Sequence, residues 1–323
     1  MDMFWRFLTI VILILSCPVW SAQYTTAPKE KVEVKLSIYL ADVFHIDDSQ
    51  KSAFVKFFVS TKWKDQRLKG KYKKPTNIPL NEIWYPRIEI MSRKNLIPDT
   101  NKVVSVDKNG EVSRLVRFTG TISFRGAYGD FPFDSQELVF DFITPNKEVI
   151  LKTGDFKSLR SRKFSIEGWV FGDGTFSAED IDLGRHEAAI FKGLSMKIQG
   201  KRKSHFYMWK IFYPLTIILL IAGAIFGINP GQVPARISVT SVATLTLVAY
   251  DFIIANMVPT LSYLTVIDVF YFSSLALVFF AFSGAVITTY LGSKNMARAI
   301  KISHFLGGIY LMLIITLYII VLK

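Results

Sequence analysis

Apolar and polar residues alternate through the first two thirds of the chain. In residues 31–39 the apolar side chains fall at every second position, and residues 54–61 repeat the pattern. A period of two is typical of a strand with one buried face. The pattern predicts an immunoglobulin-like, antiparallel β-sandwich over residues 23–205. Further strand-like runs in that domain cover residues 83–91, 112–123, 136–142, 163–171 and 190–198.

The last third of the chain, residues 206–323, is apolar in long blocks. Each of four blocks can supply the roughly 20 residues that a helix needs to cross a bilayer. If the N-terminal domain is exported, the cytoplasmic loops carry Arg236, Lys294, Arg298 and Lys301 and no acidic residue, as the positive-inside rule requires. We expect transmembrane helices at about residues 206–228, 234–257, 265–291 and 302–322.

Residues 1–22 have the form of a secretory signal peptide. Arg6 precedes the apolar run 7–15, which is too short to span a bilayer, and small residues around Ser21 suit cleavage. A lipoprotein signal that ends at Cys17 is an alternative interpretation. Both interpretations predict that the β-domain is exported.

Composition narrows the classes of function. The chain has 323 residues, 50% of them hydrophobic, and a single cysteine, so no intramolecular disulfide and no zinc site built on several cysteines can form. The net charge of +13 would suit a nucleic-acid partner, but the long apolar blocks argue against one. No HExxH, GxSxG or P-loop motif occurs, so we expect neither an enzyme nor a cofactor or metal site.

The second predicted helix carries a stripe that the other three lack. Ser238, Val242, Leu245, Ala249 and Phe252 are spaced four and three residues apart and therefore share one helix face. The stripe is small and polar at its cytoplasmic end and apolar above. That gradient is typical of a pore-lining helix. A helix buried in a bundle, with Ser and Thr used for interhelical hydrogen bonds, has the same periodicity, so both interpretations stay open at this point.

Three motifs in the β-domain carry a family resemblance. Residues 131–136 are Phe-Pro-Phe-Asp-Ser-Gln, residues 63–68 are Trp-Lys-Asp-Gln-Arg-Leu, and residues 84–86 are Trp-Tyr-Pro. They resemble the Phe-Pro-Phe-Asp-x-Gln, Trp-x-Asp-x-Arg-Leu and Trp-x-Pro motifs of the pentameric ligand-gated ion channels, the Cys-loop receptor superfamily. Residues 263–268 are similar to the loop into the third helix of the bacterial member from Erwinia.

The departures from the animal members are also informative. Phe124 and Leu138 stand where those members carry the two loop-closing cysteines, and only residues 294–301 separate the last two helices. The resemblance therefore implies a bacterial homopentamer. It would lie in the inner (cell) membrane, in contact with membrane lipid, with its N-terminal domain in the periplasm. It would be gated by a small-molecule agonist or by protons.

The start of the second helix bears on ion selectivity. Pro234, Ala235 and Arg236 are similar to the same stretch of glycine and GABA-A receptors, which are anion channels. Cation-selective members usually place Glu at or beside the position of Ala235, where a ring of five carboxylates repels anions. We expect a chloride channel. A cation channel is the alternative within the family, because its cation-selective members also carry a basic residue at the position of Arg236.

The family binds agonists between the β-domains of neighbouring subunits. Alignment by the motifs assigns Glu89, Ile143, Pro145, Leu183 and Phe191 to that site. A cationic amine needs aromatic side chains or a carboxylate. Glu89 and Phe191 keep that character, whereas Ile143, Pro145 and Leu183 do not. Arg114 and Arg117 are candidates for binding an anionic ligand, or are solvated surface residues, and His45, His186 and His205 are candidates for proton gating.

Coupling between the domains is expected where they meet. Asp134 and Arg202 should form a buried ion pair, because a buried charge needs a partner. The hairpin tip Phe44–Asp48 should contact the loop Pro259–Thr265, which contains Tyr263. A non-conducting membrane receptor is the alternative function, and it predicts that charges are tolerated on the stripe of the second helix.

Overall fold

The computed structural model describes residues 22–99, 102–124, 126–154, 160–182, 190–257 and 261–321. Nearly all of the expected signal peptide, including Cys17, lies outside these residues, as do Leu183, His186 and Pro259. The described residues form a β-domain that ends at Arg202 and a helical domain that begins at His205.

The β-domain contains twelve strands within the described residues, and most follow the alternation of the sequence. They are β1 (Val32–Asp47), β2 (Ser52–Lys64), β3 (Thr76–Pro79), β4 (Glu89–Ile90), β5 (Arg93–Pro98), β6 (Val103–Val106), β7 (Glu111–Ser123), β8 (Ser135–Ile143), β9 (Val149–Thr153), β10 (Trp169–Phe171), β11 (Thr175–Asp182) and β12 (Ile190–Arg202).

These strands form the two sheets of a sandwich. The first sheet has the order β3-β6-β7-β2-β1-β9, with β5 also paired to β7. The second has the order β10-β12-β8-β4, with β11 also paired to β12. The expected sandwich is confirmed, but not as purely antiparallel, because β1 and β9 run parallel with Val32 opposite Val149.

Two expected strands are much shorter than the sequence pattern suggested. Within residues 83–91 only Glu89–Ile90 is a strand, because Pro86 lacks the N–H that a ladder needs. Within residues 163–171 only Trp169–Phe171 pairs, with the end of β12. Residues 84–88, just before β4, are instead irregular, and Trp84 is buried in a cluster with Trp63.

Gly120 allows β5 to approach β7. Its φ is +146°, and a Cβ atom there would lie 2.0 Å from the carbonyl oxygen of Asn95. Gly120→Ala should therefore lower the free energy of unfolding by about 1–3 kcal/mol, through backbone strain and overpacking. Thermal unfolding would measure this. Gly168→Ala, where nothing lies within 4 Å, is the matched control and should unfold like the wild type; equal losses in both would contradict the account.

Four long helices follow in the described part of the chain, each long and apolar enough to cross a membrane. The third of them, α3 (Val266–Lys294), begins with a capping box. Thr265 Oγ1 accepts from the Asp268 N–H at 3.3 Å, and the Thr265 N–H donates to Asp268 Oδ2 at 2.7 Å. The fourth helix begins earlier than expected, because the charged segment before residue 302 is also helical. The helices are α1 (His205–Gly227), α2 (Val233–Ala255), α3 (Val266–Lys294) and α4 (Met296–Val321).

One apolar core runs from the sandwich into the helices without a break. At the junction, the rings of Phe131 and Tyr207 are 4.9 Å apart and those of Phe133 and Phe212 are 6.1 Å apart. Each fully buried aromatic or aliphatic side chain contributes about 1.5–3 kcal/mol. The two domains are therefore held together by side-chain packing as well as by the chain itself.

Candidate functional site

Arg202 ends β12 at the junction of the two domains, and its side chain is only 4% exposed. Nη1 and Nη2 each donate to one carboxylate oxygen of Asp48 at 2.8 Å. Nε and Nη2 donate to Asp134 at 2.7 and 3.2 Å, and Nη1 also donates to the Tyr207 hydroxyl at 3.3 Å. All five N–H donors of the guanidinium therefore have acceptors. We call Asp48, Asp134, Arg202 and Tyr207 the junction cluster.

Aromatic rings enclose the guanidinium of the junction cluster. Its central carbon lies 4.3 Å from the ring centre of Trp169 and 4.7 Å from that of Phe131, distances typical of cation–π contacts. Burial alone would lower the pKa of Arg202, but the hydrogen bonds to Asp48 and Asp134 outweigh it and raise the pKa above its ordinary value. Arg202 therefore keeps its charge in a site that excludes water.

Tyr128 connects the junction cluster to the helices. Its hydroxyl donates to Asp48 Oδ1 at 3.2 Å, and burial, together with the negative charge of Asp48, raises the pKa of that hydroxyl. Its backbone N–H donates to the Tyr263 hydroxyl at 3.1 Å. The Val266 N–H at the start of α3 donates to the carbonyl of Gly129 at 3.1 Å. A continuous set of contacts therefore joins the end of β12 to the start of α3.

The predicted Asp134–Arg202 ion pair is confirmed as a contact, whereas Asp48 was missed. The sequence analysis placed Asp48 in the hairpin tip expected at the interface with the helices, but did not pair it with Arg202. The signal that could have found it is stoichiometric, since five guanidinium donors need more acceptors than one carboxylate offers. Phe44 packs on Phe54, with ring centres 5.6 Å apart; its expected contact with Pro259 involves a residue outside the described ones.

The stripe predicted on the second helix lies on the open face of α2. Ser238, Val242, Leu245, Ala249 and Phe252 are all exposed in the single chain, and Leu245 is 72% exposed. The opposite face carries the residues that pack into the bundle. Those buried residues are Arg236, Thr240, Ala243, Leu247 and Ile254.

Arg236 lies where the sequence analysis did not expect it. It was assigned to the mouth of a pore with Pro234 and Ala235, which are both exposed, but its side chain is 1% exposed inside the bundle. Nη1 donates to the hydroxyl of Thr288 on α3 at 2.8 Å, and Nη2 donates to that of Ser303 on α4 at 3.3 Å. Arg236 therefore ties the cytoplasmic end of α2 to α3 and α4.

The predicted agonist residues fall into separate places on one chain. Pro145 and Phe191 line a cavity of about 880 Å³, and Ile143 is buried beneath the surface. Glu89 forms an ion pair with Arg87 at 2.9 Å. Leu183 lies outside the described residues.

The two predicted arginines are also separated. Arg114 lines a second cavity, of about 230 Å³. Arg117 is exposed and pairs with Asp99 at 3.1 Å. Of the candidate proton sensors, His45 and His205 are exposed. Within the described residues, no cluster of three or more His, Cys, Asp or Glu side chains is arranged to hold a metal ion.

Comparison with known proteins supports a common origin with neurotransmitter receptors. The family model of the neurotransmitter-gated ion-channel ligand binding domain matches residues 22–170. The chain is 23% identical over 308 residues to a proton-gated ion channel of Gloeobacter violaceus, covering 91% of this chain and 85% of that channel.

Two animal relatives also match, with lower coverage of their own length. The chain is 22% identical over 285 residues to a glutamate-gated chloride channel of Drosophila melanogaster, and 25% identical over 288 residues to the gamma-aminobutyric acid receptor subunit alpha-6 of Gallus gallus. The two alignments include 82% and 83% of this chain, respectively. Each includes only 60% of the relative's own length. The β-sandwich, the four apolar helices and these matches indicate a multi-pass membrane protein that is similar to pentameric ligand-gated ion channels over most of its length.

Proposed function

We propose that this chain forms a homopentameric ion channel, opened by a small-molecule agonist or by protons, with chloride as the permeating ion. Helix α2 lines the pore, and residues 23–205 lie outside the membrane. We place the channel in a bacterial inner (cell) membrane, after removal of residues 1–22 as a signal peptide.

The observation that carries the proposal is the open face of α2. The residues that share this face run from the hydroxyl of Ser238 to the apolar side chains of Leu245 and Phe252. A lipid-facing surface gains nothing from a polar end, whereas an ion path needs a polar narrow end and can use an apolar ring as a gate. Five copies of the chain around one axis would turn this face into a pore.

The flank of α2 supports assembly from several copies. Ser241 and Thr244 expose their side chains beside a groove of about 890 Å³ that α2 forms with Phe272 and Phe279 of α3. Hydroxyl-bearing residues at the surface of a membrane helix favour contact with another protein helix over contact with lipid. We assign this groove to the neighbouring subunit.

Chloride selectivity follows from the charges near the start of α2. Ala235 is exposed there, and no carboxylate stands beside it in the sequence. The electrostatic potential at the cytoplasmic mouth of the pore is therefore set by the positive N-terminal end of each α2 and by Arg236, which is buried in the bundle. Both attract anions. Cation selectivity is the second candidate, and Asp251 favours it, because this acidic residue is exposed near the outer end of α2.

For the agonist we propose an anionic or zwitterionic small molecule in the cavity that holds Pro145 and Phe191. The lysines in its lining outnumber the carboxylates. Opposite charges at close range stabilise such ligands through charge-assisted hydrogen bonds. The charged residues that line the cavity are Lys31, Lys147, Lys152, Lys192, Glu179 and Asp180.

The test is electrical. The full chain is expressed in oocytes, external pH is stepped from about 4 to about 9 to cover carboxylate and histidine titration, and small anionic and zwitterionic amino acids are then applied. During any evoked current, external chloride is replaced by gluconate. A chloride pore should move its reversal potential positive by up to ~59 mV per tenfold reduction. A potential that follows sodium instead would establish the cation alternative.

A negative charge introduced at the cytoplasmic end of the pore tests which residue sets the ion selectivity. Ala235→Glu would add five carboxylates there, so the reversal potential should lose most of its dependence on chloride. Arg298→Glu makes a larger charge change on the exposed start of α4, away from α2, and should leave that dependence unchanged. Chloride dependence that survives Ala235→Glu would overturn the role of this position, and no current under any condition would favour a non-conducting receptor.

A further inference from the structure

The end of the β-domain that lies farthest from the helices carries an unbalanced positive charge. Strand β2 begins four residues after Asp48 of the junction cluster and ends at Lys64, about 40 Å further along at ~3.3 Å per residue. Residues 62–74, which include the end of β2 and the loop after it, contain six lysines and one arginine but a single acidic residue, Asp65. Much of the basic excess of the β-domain is therefore concentrated at this end.

The turn between β6 and β7 brings one more lysine to the same place. The N–H of Gly70 donates to the carbonyl of Lys108 at 3.0 Å, and the N–H of Asp65 donates to the carbonyl of Gly110 at 2.9 Å. A Cβ atom on Gly110 would lie 2.5 Å from the carbonyl oxygen of Asp65, so the two loops are in close contact. We call the exposed lysines on these two loops the distal lysines; they are Lys69, Lys71, Lys73, Lys74 and Lys108.

The acidic side chains beside the distal lysines have other partners. Asp65 is 2% exposed and accepts hydrogen bonds from the backbone N–H and the guanidinium of Arg67. Asp107 accepts from the backbone N–H of Glu111 at 2.8 Å, and Glu111 itself lies directly opposite Lys64 on β2. None of the distal lysines forms an ion pair with a carboxylate of the described residues. Their charges can therefore all act on a partner.

The kinds of side chain present narrow the chemistry of that partner. Lysine is a compact point charge that suits phosphate groups. A carboxylate is bound best by the fork of an arginine, but Arg67 is already paired with Asp65. Nucleobases need exposed aromatic rings on which to stack, whereas the ring of Tyr72 is half-buried and lies 5.6 Å from the amine of Lys71. Phosphate groups on a chain without bases match this surface best.

We infer that the distal lysines form a docking surface for a flexible polyanion whose charges are phosphate groups. Contacts that are weak one by one act together on such a chain, because each contact holds the next phosphate close to its lysine. None of the distal lysines lies on the proposed pore face or lines the cavity of Pro145 and Phe191. In the proposed channel, this surface lies at the end farthest from the membrane, where a phosphate polymer of the cell envelope can reach it.

Fluorescence anisotropy of the purified full chain in detergent tests the inference, with labelled long-chain inorganic polyphosphate as the probe. A quadruple variant should lower the affinity at least tenfold and should reduce the slope of log affinity against log salt by about three, because each lost lysine releases fewer counterions. Its substitutions are Lys69→Gln, Lys71→Gln, Lys73→Gln and Lys74→Gln. The control removes the same charge from exposed residues around the end of β12 and should change the affinity less than twofold; its substitutions are Arg162→Gln, Lys163→Gln, Lys201→Gln and Lys203→Gln.

Further measurements keep the result decisive. Arginine at the same four distal positions keeps the charge and should bind polyphosphate within twofold of the wild type, which separates loss of charge from loss of folding. Equal losses of affinity in the two glutamine variants would overturn the inference, since binding would then follow net charge alone. Tighter binding of single-stranded DNA or poly-glutamate than of polyphosphate at equal charge would overturn the assignment to phosphate. The measurement needs no current, so its failure leaves the proposed channel untouched.

Discussion

Arg202→Ala should lower the free energy of unfolding by about 3–5 kcal/mol and abolish any gated current. The substitution removes the cation that accounts for most of the contacts of Asp48 and Asp134, and it leaves two neighbouring carboxylates in a site with little water. It also empties the space between Trp169 and Phe131. Thermal or urea unfolding of the purified chain measures the first effect, and oocyte currents normalised to surface protein measure the second.

An exposed arginine supplies the matched control for this prediction. Arg87 is 73% exposed and pairs with Glu89, so Arg87→Ala should cost about 1 kcal/mol or less. The triple variant Asp48→Leu, Asp134→Leu, Arg202→Met replaces all three charged side chains with apolar ones of similar size, which is often neutral for stability. If the triple variant folds but does not conduct, the charges couple the domains. If it folds and gates normally, the junction cluster is only structural.

Tertiary contacts explain why only part of the junction cluster could be predicted from the sequence. Asp134 lies in a recognisable motif and Arg202 in a basic run next to the first helix, so a pair between them was a reasonable hypothesis. Asp48 belongs to a hairpin turn, where Asp is common for local reasons. Its contact with Arg202 joins residues 154 positions apart, and no local pattern encodes that.

The strands show the same division between local and long-range information. Alternation located β1, β2, β7, β8 and β12, because each has one buried face over many residues. It underestimated β1, which continues to Asp47 through bulges near Leu40 and Val43 that disturb the period. The short strands β3, β6 and β9 were missed, since four or five residues carry little periodicity. Their place in the sheet depends on the strands beside them.

Helix geometry explains both the success and the error on α2. The stripe from Ser238 to Phe252 was found because steps of three and four residues keep one face. The same geometry puts Arg236 on the other side, since two positions turn a helix by about 200°. Thr240, Ala243 and Leu247 continue the face of Arg236 and are buried with it. The sequence therefore contained this information, although the rule for positive loops suggested a surface position.

The contacts outline how a ligand in the β-domain could act on the proposed pore. The junction cluster lies between the sheets and the start of the helical domain, and Tyr128 and Tyr263 extend it to α3. Helix α3 contacts α2 through Arg236 and Thr288. A rearrangement of the sandwich can therefore reach the face of α2 through packed and hydrogen-bonded groups. Such a path transmits an effect only if α2 has two stable positions.

Leu245→Thr should produce current at rest, without agonist and at neutral pH. Leu245 lies in the middle of the proposed pore face and is 72% exposed in the single chain. Five leucines at one level can exclude water and so stop ions, whereas five hydroxyls hydrate the same level. The resting conductance of the variant should rise several-fold over that of the wild type in oocytes with equal surface expression, and chloride replacement should shift its reversal potential.

The control for Leu245→Thr is Leu311→Thr on α4. Leu311 is also an exposed leucine in a membrane helix, at 52%, but it lies on a face that we assign to lipid. The polar substitution there should leave the resting conductance at the wild-type level, because no water-filled path runs along it. An equal rise of the resting conductance in both variants would mean that a hydroxyl at either position only disturbs the packing of the helices. If neither variant shows a resting current at normal surface expression, Leu245 does not form an apolar gate in the proposed pore. That result would favour a non-conducting receptor.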